Sequence, residues 1–182
     1  MNTLINLFKI YLGFFVENTV FSSLIYGIIF NIPIAIYYSI TSYLNILFWA
    51  RLKSFICSIS FLETLRPQTT LFIESKFGDV LFKLGKYGMP SFHSIYSGYM
   101  FMFWAQYFLN SNKKKYKIKI FNLFLLYILV VSSRIYFNVH TLGQVIVGSL
   151  LGFLSGKISF YIFNKLIITS CVINRKWNNI LN

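Results

Sequence analysis

Acidic residues are scarce in this 182-residue chain: four Asp or Glu stand against 17 Lys or Arg, so the formal net charge is +13. Carboxylates are the usual protein ligands of Mg²⁺ and Ca²⁺, and none of the four neighbours either histidine. The only two cysteines, Cys57 and Cys171, lie in separate apolar stretches, which argues against a disulfide framework or a cysteine-rich metal site. We therefore expect neither a metal ion nor an organic cofactor.

Charged residues of both signs are also few, at 12% of the chain, whereas 57% of the residues are hydrophobic. Soluble domains contain about 45–50% apolar residues, so this excess indicates a membrane protein. The cations lie mostly at the ends of apolar runs, which is typical of membrane proteins rather than nucleic-acid binders. We expect one integral membrane domain over residues 1–182, with no nucleic-acid partner and no obligate protein partner.

Apolar segments of membrane length follow one another along the chain. A spanning helix needs about 20 mostly apolar residues. The sequence therefore predicts an all-α, polytopic transmembrane bundle of about five spans, within a range of four to six. The first two spans are expected near residues 20–38 and 43–62, the third near 90–109, the fourth from the lysine run to about 132, and the fifth near 142–163.

The boundary between the first two spans depends on a run without charge, residues 18–50. Asn31, Pro33 and the polar residues 39–42 are all places where a helix can bend or break, and the predicted spans put the break at residues 39–42. Arg51 and Lys53 then fall inside the second span, either at a cytoplasmic boundary or facing the bundle interior. In the fifth span, small residues at roughly helical spacing predict close helix packing: Gly143, Gly148, Ser149, Gly152, Ser155 and Gly156.

Three short polar clusters interrupt the apolar sequence, and both histidines of the chain lie in them. The clusters are Arg66-Pro67, Pro90-Ser91-Phe92-His93, and Ser133-Arg134 followed by His140. Ionisable groups at membrane depth are costly and usually face a bundle interior or a water-filled cavity. Short cytoplasmic loops are rich in Lys and Arg, so the lysine run at residues 113–119 is expected in the cytoplasm. That topology places all three clusters together on the opposite, non-cytoplasmic face.

The residue types in these clusters suit the chemistry of a phosphate ester. Arg66 and Arg134 can bind phosphate oxygens through bidentate guanidinium hydrogen bonds, and Ser91 can donate another. One histidine can attack phosphorus and form a covalent intermediate. The other can protonate the leaving oxygen and then activate water. The clusters therefore predict a phosphatase.

At these residues the chain resembles the type 2 phosphatidic acid phosphatase (PAP2) superfamily. The motifs of that superfamily are Lys-x6-Arg-Pro, Pro-Ser-x-His, and Ser-Arg-x5-His followed by an acidic residue. The longer strings of residues 86–94 and 133–148 are similar to one branch, the dolichyl diphosphate phosphatases. The resemblance covers roughly residues 43–156, the expected core of the domain.

The resemblance implies a PAP2 or acid-phosphatase-like helical core and a role for each matching residue. His140 is implied as the nucleophile and His93 as the acid that protonates the leaving group. Arg66, Ser91 and Arg134 are implied as phosphate ligands. Gln144 lies one helical turn after His140, where it can hold the imidazole by a hydrogen bond; the superfamily more often has Asp there, and Gln fits the dolichyl branch.

For the branch, the implied reaction is hydrolysis of dolichyl or another polyprenyl diphosphate to the monophosphate and phosphate. The implied place is the luminal face of the endoplasmic reticulum membrane, where the product is recycled as lipid carrier for protein N-glycosylation. A second hypothesis is a lipid phosphatase of the same superfamily that acts on phosphatidic acid or a sphingoid phosphate. A third is a non-catalytic protein that binds a phosphate lipid.

Two departures from the motifs motivate the third hypothesis. Ile59 stands where the first motif has Lys, and either Lys53 or Lys86 is a candidate to supply the missing charge. Phe92 stands where the second motif usually has a small residue. Its ring either crowds the approach of phosphate to the backbone or faces the lipid.

Overall fold

The computed structural model describes residues 15–58, 88–110 and 116–181, which form helices joined by short turns. These ranges contain five helices and no strand, in agreement with the predicted all-α class. Arg66, Ile59 and Lys86 lie outside the described residues. In chain order the helices are α1 (Phe15–Ile29), α2 (Pro33–Ser58), α3 (Phe92–Asn110), α4 (Tyr116–Tyr136) and α5 (Leu142–Leu181).

The first two helices are separated at Asn31, so the break predicted at residues 39–42 is wrong. Asn31 has a positive φ of 50°, a conformation that Asn tolerates better than most residues. The amide of Ile32 donates to the carbonyl of Gly27 at 2.8 Å, closing the end of α1. Pro33 then opens α2, where its missing N–H costs no hydrogen bond.

The polar residues 39–42 continue α2 because their hydroxyls bond within the helix. The Ser39 hydroxyl donates to the carbonyl of Ala35 at 2.8 Å, and that of Thr41 to the carbonyl of Tyr37 at 2.8 Å. A hydroxyl that is satisfied by its own helix backbone does not need to interrupt it.

Helices α3 and α5 pack closely along a row of glycines on α5. Gly148, Gly152 and Gly156 recur every four residues and so share one helix face. A Cβ atom on any of them would meet a main-chain oxygen of α3: that of Ser91 at 2.7 Å from Gly148, that of Ile95 from Gly152, and that of Tyr99 at 2.5 Å from Gly156. The predicted packing role of these three glycines is confirmed.

The remaining small residues of α5 differ in their surroundings. Among the described residues, a Cβ on Gly143 would meet nothing within 4 Å, so no helix in that part of the chain packs against it as predicted. Ser149 is buried at the interface, and its carbonyl oxygen would lie 2.9 Å from a Cβ on Gly98 of α3. The Ser155 hydroxyl donates to the carbonyl of Gly152, within its own helix.

The interhelical contacts give the direction of each helix. The glycine contacts advance along α3 and α5 in the same sense, so these helices run parallel. Helix α4 is antiparallel to α3, because Lys119 near its start lies 5.0 Å from the Phe108 ring near the end of α3.

Helix α2 is also antiparallel to α3, because Thr41 bonds to Tyr99 and Lys53, nearer the end of α2, lies against Phe92 at the start of α3. Thus α3 and α5 begin, and α2 and α4 end, at one end of the bundle, here called the polar end.

The interior of the bundle is aromatic and contains two groups of hydroxyl contacts. The hydroxyls of Tyr38 and Tyr96 are 2.9 Å apart, and Thr19 donates to Tyr96 at 2.8 Å. The Tyr99 hydroxyl lies 2.7 Å from that of Thr41 and 3.0 Å from that of Ser159. One group of hydroxyl contacts therefore joins α1, α2 and α3, and a second joins α2, α3 and α5.

The outer surfaces of α4 and α5 are apolar. Two helical segments are long and apolar enough to cross a membrane, Tyr116–Tyr136 and Leu142–Ile167. Large apolar side chains with polar groups inside match a lipid-facing surface. The full set of five spans stays a prediction. The exposed apolar stripe of α5, opposite the glycine row, consists of Leu142, Ile146, Leu150, Leu154, Ile158 and Ile162.

Substitution of Gly152 tests the close approach of α3 and α5. We expect Gly152→Leu to lower the melting temperature of the purified protein in detergent, because overpacking costs roughly 1–3 kcal/mol. Gly143→Ala is the matched control on the same helix, and we expect it not to lower the melting temperature. A Gly152→Leu protein that melts like the wild type would contradict the described packing.

Candidate active site

Five of the six predicted site residues are buried at the polar end. They are Ser91, His93, Arg134, His140 and Gln144. Ser91 and His93 lie at the start of α3, Arg134 in the last turn of α4, and His140 and Gln144 around the start of α5. The sixth, Arg66, lies outside the described residues. The predicted convergence of the second and third clusters is therefore present in the structure.

The turn that follows α4 sets the spacing between Arg134 and His140. Asn138 has a positive φ of 56°, and the amide of Val139 donates to the carbonyl of Arg134 at 3.0 Å while that of Asn138 donates to Ile135 at 2.8 Å. This pair of bonds is the Schellman motif that ends many helices. The amide of His140 also donates to the carbonyl of Arg134, at 3.2 Å. The five residues between Arg134 and His140 are thus those needed to end one helix and reverse the chain.

The start of α5 holds the imidazole of His140. Thr141 caps the helix: the amide of Gln144 donates to its hydroxyl at 3.4 Å, and Gln144 Oε1 accepts the amide of Thr141 at 3.1 Å. This reciprocal pair is a capping box. The same Oε1 lies 3.2 Å from Nδ1 of His140, so the contact predicted between these side chains is present.

The capping box also determines the tautomer of His140. Because the Thr141 amide can only donate, the Gln144 atom that it contacts is the carbonyl oxygen, an acceptor. Nδ1 of His140 therefore carries the proton in this contact. The neutral ring then has its lone pair on Nε2, the nitrogen suited to attack an electrophile.

The start of α3 is joined directly to the start of α5. The amide of Ser91 donates to the carbonyl of Gln144 at 3.2 Å, and Ser91 itself caps α3, with its carbonyl accepting the amide of Ile95 at 3.0 Å. The Ser94 hydroxyl donates to that of Ser91 at 3.0 Å. The amino termini of two helices therefore meet at the polar end, and their amide groups favour an anion there.

Arg134 is fully buried, at 0% exposure, and its Nε donates to the hydroxyl of Ser133 at 3.2 Å. The Ser133 hydroxyl in turn donates to the carbonyl of Val130 at 2.6 Å. These two hydrogen bonds hold Nε of the Arg134 guanidinium in place. A buried guanidinium on the helix turn that ends at the polar end is suited to a phosphate, which it can bind through two parallel hydrogen bonds.

Sequence reasoning did not assign three residues that shape the site. Thr141 and Asn138 set the positions of His140 and Gln144, and a Cβ on Gly88 would overlap the carboxamide of Gln144. Thr141 and Gln144 form the Thr-x-x-Gln pattern of a capping box, which signals a helix start in the sequence. The contact of Gly88 has no such local signal, because the two residues lie 56 positions apart and meet only through the packing of α3 on α5.

Asn138 offers a test of the turn that positions His140. We expect Asn138→Ile to destabilise the protein by roughly 1–2 kcal/mol, because a branched side chain is disfavoured at positive φ. Asn138→Gly is the matched control and should retain the wild-type melting temperature. The measurement is thermal unfolding in detergent, and equal stability of the Ile variant would argue against the left-handed conformation at this position.

Comparison with known proteins gives the family of the chain. The family model of the PAP2 superfamily matches residues 42–168 and so includes both of the motifs gathered at the polar end. No curated protein and no solved structure matches the chain. PAP2 proteins are phosphatases, and the two membrane-length helices agree with a membrane-associated lipid phosphatase. Since the match covers more than half of the chain, the protein belongs to the PAP2 superfamily.

Proposed function

We propose that this protein hydrolyses a polyprenyl diphosphate, dolichyl diphosphate in particular, to the lipid monophosphate and phosphate. The observation that carries the proposal is the orientation of His140. Its Nδ1 is held by Gln144, which leaves the lone pair on Nε2 at the end of the bundle where Arg134 is buried. A nucleophile and a buried cation brought together in this way suit phosphoryl transfer.

In the first step, Nε2 of His140 attacks the terminal phosphorus of the diphosphate. An N–P bond forms and the bridging P–O bond breaks, so the lipid monophosphate leaves. His93 donates a proton to the leaving bridging oxygen. Arg134, the Ser91 hydroxyl and the helix amides hold the non-bridging oxygens, whose charge they stabilise in the transition state.

In the second step, water attacks the phosphohistidine. His93, now neutral, takes a proton from the water, the new O–P bond forms and the N–P bond breaks. Phosphate leaves, and His140 returns to the tautomer that Gln144 supports. The chain's own residues supply each proton transfer in this scheme. Arg66 is proposed as a further phosphate ligand on the strength of the first motif.

The choice of a prenyl diphosphate rests on the sequence around the site. The string from Gly88 to His93 and the pair His140-Thr141 followed by Gln144 resemble the dolichyl branch. Gln144 replaces the acidic residue more usual in the superfamily, and its carboxamide oxygen supplies the same acceptor to His140. The apolar outer faces of the helices are suited to a long prenyl chain in the bilayer.

The proposed location is the endoplasmic reticulum membrane, with the polar end on the luminal face. The support is the distribution of positive charge: Lys117 and Lys119 of the lysine run lie in the first turn of α4, at the end of the bundle opposite to the polar end. Regeneration of the monophosphate there would recycle the lipid carrier for protein N-glycosylation.

Phosphate release by the purified full-length protein tests the reaction and its substrate. The substrates are dolichyl diphosphate and phosphatidic acid, each in detergent micelles with a chelator present. We expect release from the diphosphate and a loss of at least about 10³-fold in His140→Ala, which lacks the nucleophile. Release mainly from phosphatidic acid would favour the second hypothesis, a lipid phosphatase of the same superfamily that acts on phosphatidic acid or a sphingoid phosphate. A folded wild-type protein that releases phosphate from neither substrate would favour the third hypothesis, a non-catalytic protein that binds a phosphate lipid.

Gln144 can be tested as the residue that positions His140. We expect Gln144→Leu to lower kcat by roughly 10²-fold with a smaller change in KM, because the imidazole loses its orienting acceptor. Gln144→Glu keeps an acceptor oxygen and should retain most of kcat. Gln106→Leu on α3, remote from the polar end, is the matched control. Equal kcat for Gln144→Leu and the wild type would exclude the orienting role.

A further inference from the structure

Lys53 is a buried cation that none of the PAP2 motifs includes. It lies on α2, five residues before the end of the helix, and its side chain is 1% exposed. Arg51, two residues earlier, is exposed. Of the two positions expected for this pair, a cytoplasmic boundary or the bundle interior, Lys53 takes the interior, whereas Arg51 is exposed near the polar end.

The ammonium group of Lys53 lies at the polar end. Its Nζ is 5.9 Å from the centre of the Phe92 ring, within the range of a cation–π contact. Phe92 stands between Ser91 and His93 in the first turn of α3. The contact therefore shows that a fourth helix, α2, brings a second buried cation, in addition to Arg134, to the end where the helix amides and the histidines meet.

The contact also links the two departures of this chain from the motifs. Ile59 lacks the charge that the first motif supplies, and Phe92 is larger than the residue usual at its position in the second. In the structure, the large ring of Phe92 lies against the one lysine that α2 buries. A buried ammonium group at this end adds positive charge to that of the helix amino termini, which also favour an anion.

We propose that Lys53 is a phosphate-binding residue of this site and that Phe92 is the residue that positions it. The inference rests on the proposed function for the identity of the anion as a phosphate group. Lys53 supplies from α2 the positive charge that position 59 lacks. The ring of Phe92 holds the ammonium group at the amino terminus of α3, next to Ser91 and His93.

Binding of inorganic phosphate to the purified full-length protein tests this inference without requiring turnover. Isothermal titration calorimetry in detergent would compare the wild type with Lys53→Met, Lys53→Gln and Lys53→Arg. We expect the two neutral variants to weaken binding by about tenfold or more, since hydrogen bonds to charged groups contribute roughly 1.5–3 kcal/mol, and Lys53→Arg to keep most of the affinity. Arg51→Met removes an exposed cation from the same helix and should change the affinity less than threefold.

Two results would overturn the role of Lys53: unchanged phosphate affinity in both neutral variants, or an equal loss in Arg51→Met. Melting temperatures identify a variant that fails to fold. If Lys53→Met does not fold, Lys53→Gln provides the same comparison, because it keeps a polar end group without the charge.

A double-mutant cycle tests the positioning role of Phe92. We expect Phe92→Leu to weaken phosphate binding severalfold in the wild-type background and to have little effect in Lys53→Met, because the ring acts through the ammonium group. Phe92→Tyr retains an aromatic face and should bind phosphate with the affinity of the wild type. Additive effects of Phe92→Leu and Lys53→Met would contradict the coupling.

The same variants distinguish failure of this inference from failure of the proposed function. If the wild type binds phosphate but hydrolyses no diphosphate, the titrations still decide the role of Lys53. If the wild type hydrolyses the diphosphate, we expect Lys53→Met to raise KM as well as the dissociation constant of phosphate. Normal KM and normal phosphate affinity in that variant would overturn the inference and leave the proposed function standing.

Discussion

The hydrogen bonds accepted by Gln144 Oε1 are the interaction on which the site depends. One atom accepts the amide of Thr141, which begins α5, and contacts Nδ1 of His140, which orients the imidazole. The main-chain carbonyl of Gln144 accepts the amide of Ser91 and so joins α3 to the same point. The start of α5 and the tautomer of His140 therefore depend on the side chain of Gln144, and the placement of the second motif depends on its main chain.

Close packing of α3 on α5 makes this arrangement possible. The glycine row of α5 lets the backbone of α3 approach so closely that a Cβ atom on any of the three glycines would overlap it, and the first of these contacts, at Gly148, lies beside Ser91. In lipid, where apolar side chains gain little by leaving their surroundings, close backbone packing and buried polar contacts hold helices together. The tyrosine and threonine hydroxyls that bond across the interior serve the same purpose, while the outer faces remain apolar.

Much of the fold and site could be predicted locally, and the misses have physical causes. The start of α5 at residue 142 and the contact of Gln144 with His140 follow from a one-turn spacing in a helix. The break placed at residues 39–42 was wrong because the Ser39 and Thr41 hydroxyls bond inside α2, whereas Asn31 adopts a positive φ and ends α1. No described residue packs against Gly143, because a small residue allows a close approach but does not by itself bring a neighbour there.

The class of the protein follows from the chain alone, through its apolar segments of membrane length and its two histidines and Arg134 at motif spacings. Those properties depend on residue type and local spacing. Which helix ends meet depends on the packing of the bundle, and so does the fact that Lys53 rather than Arg51 turns inward and lies against Phe92. A contact between residues 39 positions apart depends on how α2 packs against α3, and no local pattern of sequence specifies that packing.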